Sequence, residues 1–142
     1  MLRLLCLAVV VTLLPSFHVQ GAEPDDSVTP GALCRHSDPD FDKYAYSEKI
    51  AHCRRHVTAA MKKEVADQYG VPKKDYSKYE FDHLYPLCAG GANSVENLWP
   101  QPHAEALEKD KIEDEVCQGM KAGTMTQKQA IRKIDDWFDG RN

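Results

Sequence analysis

The chain has 142 residues, 42% of them hydrophobic and 28% charged, and a formal net charge of −4. That length suits one domain with a core of its own, and such ordinary composition excludes wholesale disorder and collagen-like repeats. The acidic balance excludes a protein that coats DNA through overall positive charge, and leaves room only for a local basic face.

Met1-Leu2-Arg3 opens with a positive residue, Leu4 to Leu14 is apolar apart from Thr12, and Pro15 breaks the run ahead of Gly21-Ala22. This pattern predicts a secretory signal peptide over 1–22, because the apolar run is shorter than the ~20 residues of a spanning helix. The expected product is a secreted or periplasmic monomer with no membrane attachment after cleavage. Cys6 leaves with the leader, and Cys34, Cys53, Cys88 and Cys117 remain. An even number in an oxidising compartment suggests two disulfides, and the absence of a Cys-x-x-Cys pair argues against structural zinc. Three pairings are open; nearness in the chain favours Cys34–Cys53 with Cys88–Cys117.

Residues 23–46, rich in Asp, Pro, Ser and Gly, read as an extended arm with turns. From 47 onward a single domain is expected. Ser47 suits a helix N-cap, and Ile50, Cys53, Val57, Met61 and Val65 recur at helical spacing, which predicts a long helix closed by Gly70 and Pro72. Tyr79-Glu80-Phe81-Asp82 alternates like a short strand, a Gly-rich loop runs from Leu84 to about Glu96, and Leu98-Trp99 is a second strand. Pro102 suits the first turn of a helix reaching about Cys117, with a break from Gly119 to Gly123. A capping-box pattern, Thr126 with Gln129, opens a last helix whose stripe of Ala130, Ile131, Ile134, Trp137 and Phe138 reads as core.

Charge is uneven. Seven basic residues lie between Lys49 and Lys74 against two acids, whereas seven acids lie between Glu96 and Glu115 against Lys109 and Lys111. Arg54, Arg55, Lys62 and Lys63 are therefore candidate phosphate contacts, with a plain solvated helix face as the alternative.

Chemistry concentrates between Tyr79 and Cys117. Phosphodiester hydrolysis needs a base for the attacking water and neutralisation of charge at the phosphoryl and leaving oxygens. A neutral imidazole suits the first need and a carboxylate-held divalent cation the second. Asp82 and His83 offer both groups, but neighbouring strand residues face opposite sides, so a twist or bulge at the strand end is needed for them to converge. Asn97 can brace the loop from the return strand. His52 and His56 form an i, i+4 pair, but Cys53 stands where a zinc protease needs glutamate.

Phe81-Asp82-His83-Leu84-Tyr85-Pro86-Leu87, Gly90-Gly91-Ala92-Asn93, Asn97-Leu98-Trp99-Pro100-Gln101 and Lys109-Asp110-Lys111-Ile112-Glu113 together resemble the HNH endonucleases, the ββα-metal or His-Me finger group, in their exported bacterial form. Asp38-Pro39-Asp40-Phe41 and the stretch from Tyr46 to Arg55 add to the likeness. The resemblance implies an α+β fold with a small ββα-metal core (79–117) inside a nuclease domain spanning 47–142. It also implies cleavage of DNA, with RNA as a second substrate, dependent on a divalent ion, Mg²⁺ above all. By that likeness His83 is the general base, Asn97 the bracing asparagine and Asp82 a metal ligand; His103, at the start of the helix, is taken as the second ligand. The helix position that many members use is Ala106 here; Glu105 and Glu108 are alternatives to His103. That departure motivates a rival, a non-catalytic nucleic-acid-binding protein on the same fold. A second rival is a disulfide-stapled interaction module using the aromatic arm from Phe41 to Tyr46.

Overall fold

A computed structural model describes residues 23–140. The leader expected over 1–22, with Cys6, lies outside the described residues. The described residues are mixed α+β: two separate two-stranded antiparallel sheets and three α-helices, with both expected disulfides, Cys34–Cys53 and Cys88–Cys117, formed. Among the described residues no helix is long and apolar enough to cross a membrane.

The long first helix is a correction. Residues 41–53 form a β-hairpin, β1 (Phe41–Ala45) with β2 (Ile50–Cys53), and α1 covers only Ala59–Gln68. The true N-cap is Thr58, whose hydroxyl accepts from Met61 N at 3.2 Å, rather than Ser47. The helical recurrence of Ile50, Cys53 and Val57 is overridden by pairing with an aromatic-rich strand and by the tether from Cys53 to Cys34. Arg54, Arg55 and His56 thus leave a strand end rather than ride a helix, and the hairpin straddles the 46/47 boundary expected between arm and domain.

The second sheet comes where the alternation predicts it, as β3 (Tyr79–His83) paired with β4 (Leu98–Pro102). Pro100 lies opposite Phe81 and Pro102 opposite Tyr79. Proline has no N–H, so these must be the pairs that exchange no ladder bonds, and the carbonyls of residues 79, 81 and 83 point to the free edge of β3. Pleating sends Phe81, Leu98 and His83 to one face, where Val65 and Ala66 of α1 and Val71 pack with the two apolar residues. The other face carries Asp82, Trp99 and Gln101.

Trp99 joins Leu84, Ala89, Val116, Met120, Ile134 and Phe138 in the larger core, beneath α2 (His103–Ala122) and α3 (Gln127–Asp139). Helix α2 runs through Gly119 instead of breaking there, and ends at Gly123, whose φ of 72° needs a residue without a Cβ. Helix α3 has the predicted capping box and buries the predicted stripe on Ala130, Ile134 and Phe138. Cys88–Cys117 ties the loop after β3 to α2.

Candidate active site

The site forms where β3 ends. Asp82 and His83 keep the opposite faces that the pleat demands, with no bulge in the β3–β4 register. They meet instead at the strand edge, through Arg55. Its Nη2 donates to Phe81 O at 3.2 Å, while Nη1 lies 3.0 Å from His83 Nδ1 and 3.4 Å from Asp82 Oδ1. One guanidinium nitrogen therefore marks a point within reach of both a carboxylate and an imidazole.

His83 is 2% exposed, and its ring is held from behind. Nε2 lies 3.1 Å from Asn93 Oδ1, which also accepts from His56 N at 3.1 Å; Asn93 Nδ2 donates to Asp40 Oδ2 at 2.7 Å. Two fixed partners orient the Asn93 amide so that its oxygen faces the imidazole. Nε2 must then carry the proton, leaving Nδ1 as a lone pair turned toward Arg55. Burial, with the Arg55 charge adding to it and only partly offset by Asp82, lowers the His83 pKa to about 4. The ring is neutral at pH 7.

Two expected results test this. Asn93→Ala should free the tautomer, shifting the ring nitrogen signals of His83 in ¹⁵N NMR toward a mixture, and should destabilise the fold by about 1–3 kcal/mol through the lost buried hydrogen bond. Unchanged ring shifts would exclude Asn93 as the orienting group. The second concerns acid. The folded pKa of about 4 lies below the ordinary 6.5, so protons favour the unfolded chain. Stability from this group is complete above pH 6.5 and is lost as pH falls toward 4, by roughly 3 kcal/mol in all. Urea midpoints between pH 7.5 and 4 should therefore fall more steeply for the parent than for His83→Gln; parallel curves would contradict the shift.

On the other face, Asp82 Oδ2 accepts from Lys109 Nζ at 2.8 Å. Lys109, on α2, is fully buried and also donates to His83 O at 2.7 Å and to the Glu113 carboxylate. Burial alone would raise the Asp82 pKa, but the Lys109 ammonium overrides it and holds the carboxyl below its ordinary value. Glu113 is pushed the other way, to about 7, by burial that Lys109 does not fully offset and by the charge of Asp82.

Asn97, fully buried, laces the loop together: its Nδ2 donates to Tyr85 O at 3.0 Å and Ala92 O at 2.8 Å, and its Oδ1 accepts from Tyr85 N at 2.9 Å. A Cβ on Gly91 would lie 1.9 Å from Tyr85 O and 2.8 Å from Asn97 Nδ2, so only glycine permits that lacing. Asn97 makes no hydrogen bond to the His83 ring; Asn93 does.

His103 opens α2 at the far end of the hairpin, since Pro102 pairs with Tyr79. It lines a cleft with Arg55, Lys62 and Phe81. The helix residue level with Asp82 is Lys109, six positions and roughly 9 Å further along the axis. Among the described residues Asp82, His83 and His103 do not converge as a three-ligand cluster, and Glu105 and Glu108 line a separate hollow beside Trp137. Arg54 is exposed and pairs loosely with Asp42 at 3.9 Å, whereas Lys63 pairs with Asp67 at 2.5 Å. Arg55, Lys109, Asn93 and Asp40 carry the geometry, yet the residue pattern assigned Arg55 only a phosphate contact and gave the other three no role. All four do fall within the stretches that carry the HNH likeness.

Comparison with known protein families, curated proteins and solved structures finds no match to this chain. The site therefore stands on its own geometry.

A hard divalent ion such as Mg²⁺ takes one or two carboxylates and completes its shell with substrate oxygens and water. Asp82 Oδ1, at the long contact to Arg55 on the sheet edge, fits that need; Oδ2 is committed to Lys109. The one cluster of three ligand-type side chains among the described residues, Cys34, Asp38 and Cys53, consists of a disulfide and a neighbouring acid, which is no cation site.

Proposed function

We propose that this chain is an exported phosphodiester hydrolase of the HNH, ββα-metal type, acting on nucleic acid. The observation that carries the proposal is that His83 Nε2 faces Asn93 Oδ1 while His83 Nδ1 and Asp82 Oδ1 approach the same Arg55 nitrogen. The order β3, β4, α2 supports the ββα reading, with α2 returning along the hairpin to bring Lys109 to Asp82. Two disulfides support export.

In this proposal His83 Nδ1 takes the proton of the attacking water, and the low pKa keeps the imidazole in the form able to do so. Asp82 would hold Mg²⁺, which supplies charge neutralisation at the phosphoryl and leaving oxygens. Arg55 is about half exposed and free to exchange Asp82 and His83 for phosphate oxygens, which uncovers Nδ1 for water. Lys109 keeps Asp82 ionised and turned toward the edge. Asn97 holds the loop that carries Asn93.

One observation favours the binding rival: a guanidinium already sits between the two candidate catalytic groups. Plasmid nicking with Mg²⁺ and with EDTA separates the two. Metal-dependent strand breaks support the hydrolase; retarded mobility with intact strands would establish a binder instead.

A further inference from the structure

Arg55 also belongs to a groove leading away from the site. A cleft of about 460 Å³ is lined by Arg55, Lys62, Tyr76, Tyr79, Phe81 and His103, and a second of about 440 Å³ adjoins it through Lys62 and Tyr76 and adds Lys63 and Lys73. Lys62 and Lys73 have no carboxylate partner among the described residues, and Lys62 Nζ lies 5.9 Å from the Phe81 ring. Glu80 is the one acid lining the first cleft, and the acid of the second, Asp67, is paired with Lys63. Tyr76 stands edge-on to Phe81 at 5.2 Å and is half-buried, as is Tyr79.

Cations beside recessed aromatic rings suit a strand whose bases are unpaired. Aromatic side chains stack on a base face, and a duplex hides those faces in its own stack, offering a groove only phosphates. Each cleft is also of small-ligand size rather than duplex width. We infer that the segment flanking the scissile phosphate is bound single-stranded, with a base against Tyr76 and Tyr79 and its phosphates on Arg55 and Lys62. The inference rests on the hydrolase proposal only for which phosphate is cut; the groove binds with or without cleavage.

Fluorescence anisotropy of a labelled thymidine dodecamer, with EDTA present to prevent cleavage, tests it. The full mature chain should bind this strand about tenfold or more tighter than a blunt duplex of equal length, and tighter than an abasic strand of the same charge. Lys62→Glu, on the exposed face of α1, should weaken single-strand binding about tenfold, and Tyr79→Leu should abolish the preference over the abasic strand. Equal affinity for the single strand, duplex and abasic strand, or a Lys62→Glu protein that binds as the parent does, would overturn the inference. Plasmid nicking that persisted in that case would leave the hydrolase proposal standing; single-strand preference without any nicking would sink that proposal and keep this one.

Discussion

His83→Ala is expected to lower Mg²⁺-dependent plasmid nicking by about 10²–10⁴-fold, the usual contribution of a positioned general base. The ring makes two side-chain hydrogen bonds, to Asn93 and Arg55, and no charge is lost at neutral pH because the imidazole is neutral there. The variant should therefore stay folded, with its near-UV circular dichroism unchanged. The measurement is supercoiled plasmid lost per unit time at matched protein concentration, with EDTA as the blank. Nicking at the parental rate by a folded His83→Ala protein would remove His83 from the chemistry, and with it the hydrolase proposal.

The second large effect concerns Lys109. Its ammonium is fully buried and compensates two carboxylates, Asp82 and Glu113, that are themselves mostly shielded from water. Removing one partner of a buried ionic set leaves the rest uncompensated, which costs about 3–5 kcal/mol. Lys109→Met should lose stability in that range at pH 7 in urea unfolding with the disulfides intact. Part of the loss should return on adding Glu113→Leu, since that removes a carboxylate whose pKa burial already raises to about 7. A single variant within about 1 kcal/mol of the parent would mean that water, rather than the ion pairs, solvates Lys109.

Both effects meet at one edge. The carbonyl of Phe81 faces outward because Pro100 occupies the opposing position, that of His83 does so two residues on by the same alternation, and Arg55 and Lys109 donate to them. The same two cations take the two oxygens of Asp82. An edge strand that could pair with another chain is thus covered by charged side chains, and those side chains set the electrostatics of the site.

Much of this was legible in the residues alone, wherever the signal is local. The alternation over Tyr79–Asp82, the Thr126–Gln129 box and the apolar stripe of α3 each depend on neighbours within a few positions, and all appear as expected. The disulfide pairing followed from short chain separations, which make those loops the easiest to close. Asp82 and His83 stood out through the surrounding stretches that resemble the HNH endonucleases, since an acid or a histidine alone more often has a structural use.

What only the tertiary structure decided are the partnerships between distant segments. Helical recurrence from Ile50 to Val65 could not reveal that Phe41–Ala45 competes for residues 50–53, because strand pairing depends on a partner outside the window. Asn93 and Asn97 are both loop asparagines in sequence; which one meets the imidazole depends on Asp40 and His56 arriving from the arm and the hairpin. Lys109 is one of two lysines in an acidic run of the sequence, and becomes a buried ammonium where β3 places Asp82 beside it. Charges can enter a protein interior only with their counter-charges, and those come from wherever the chain folds back.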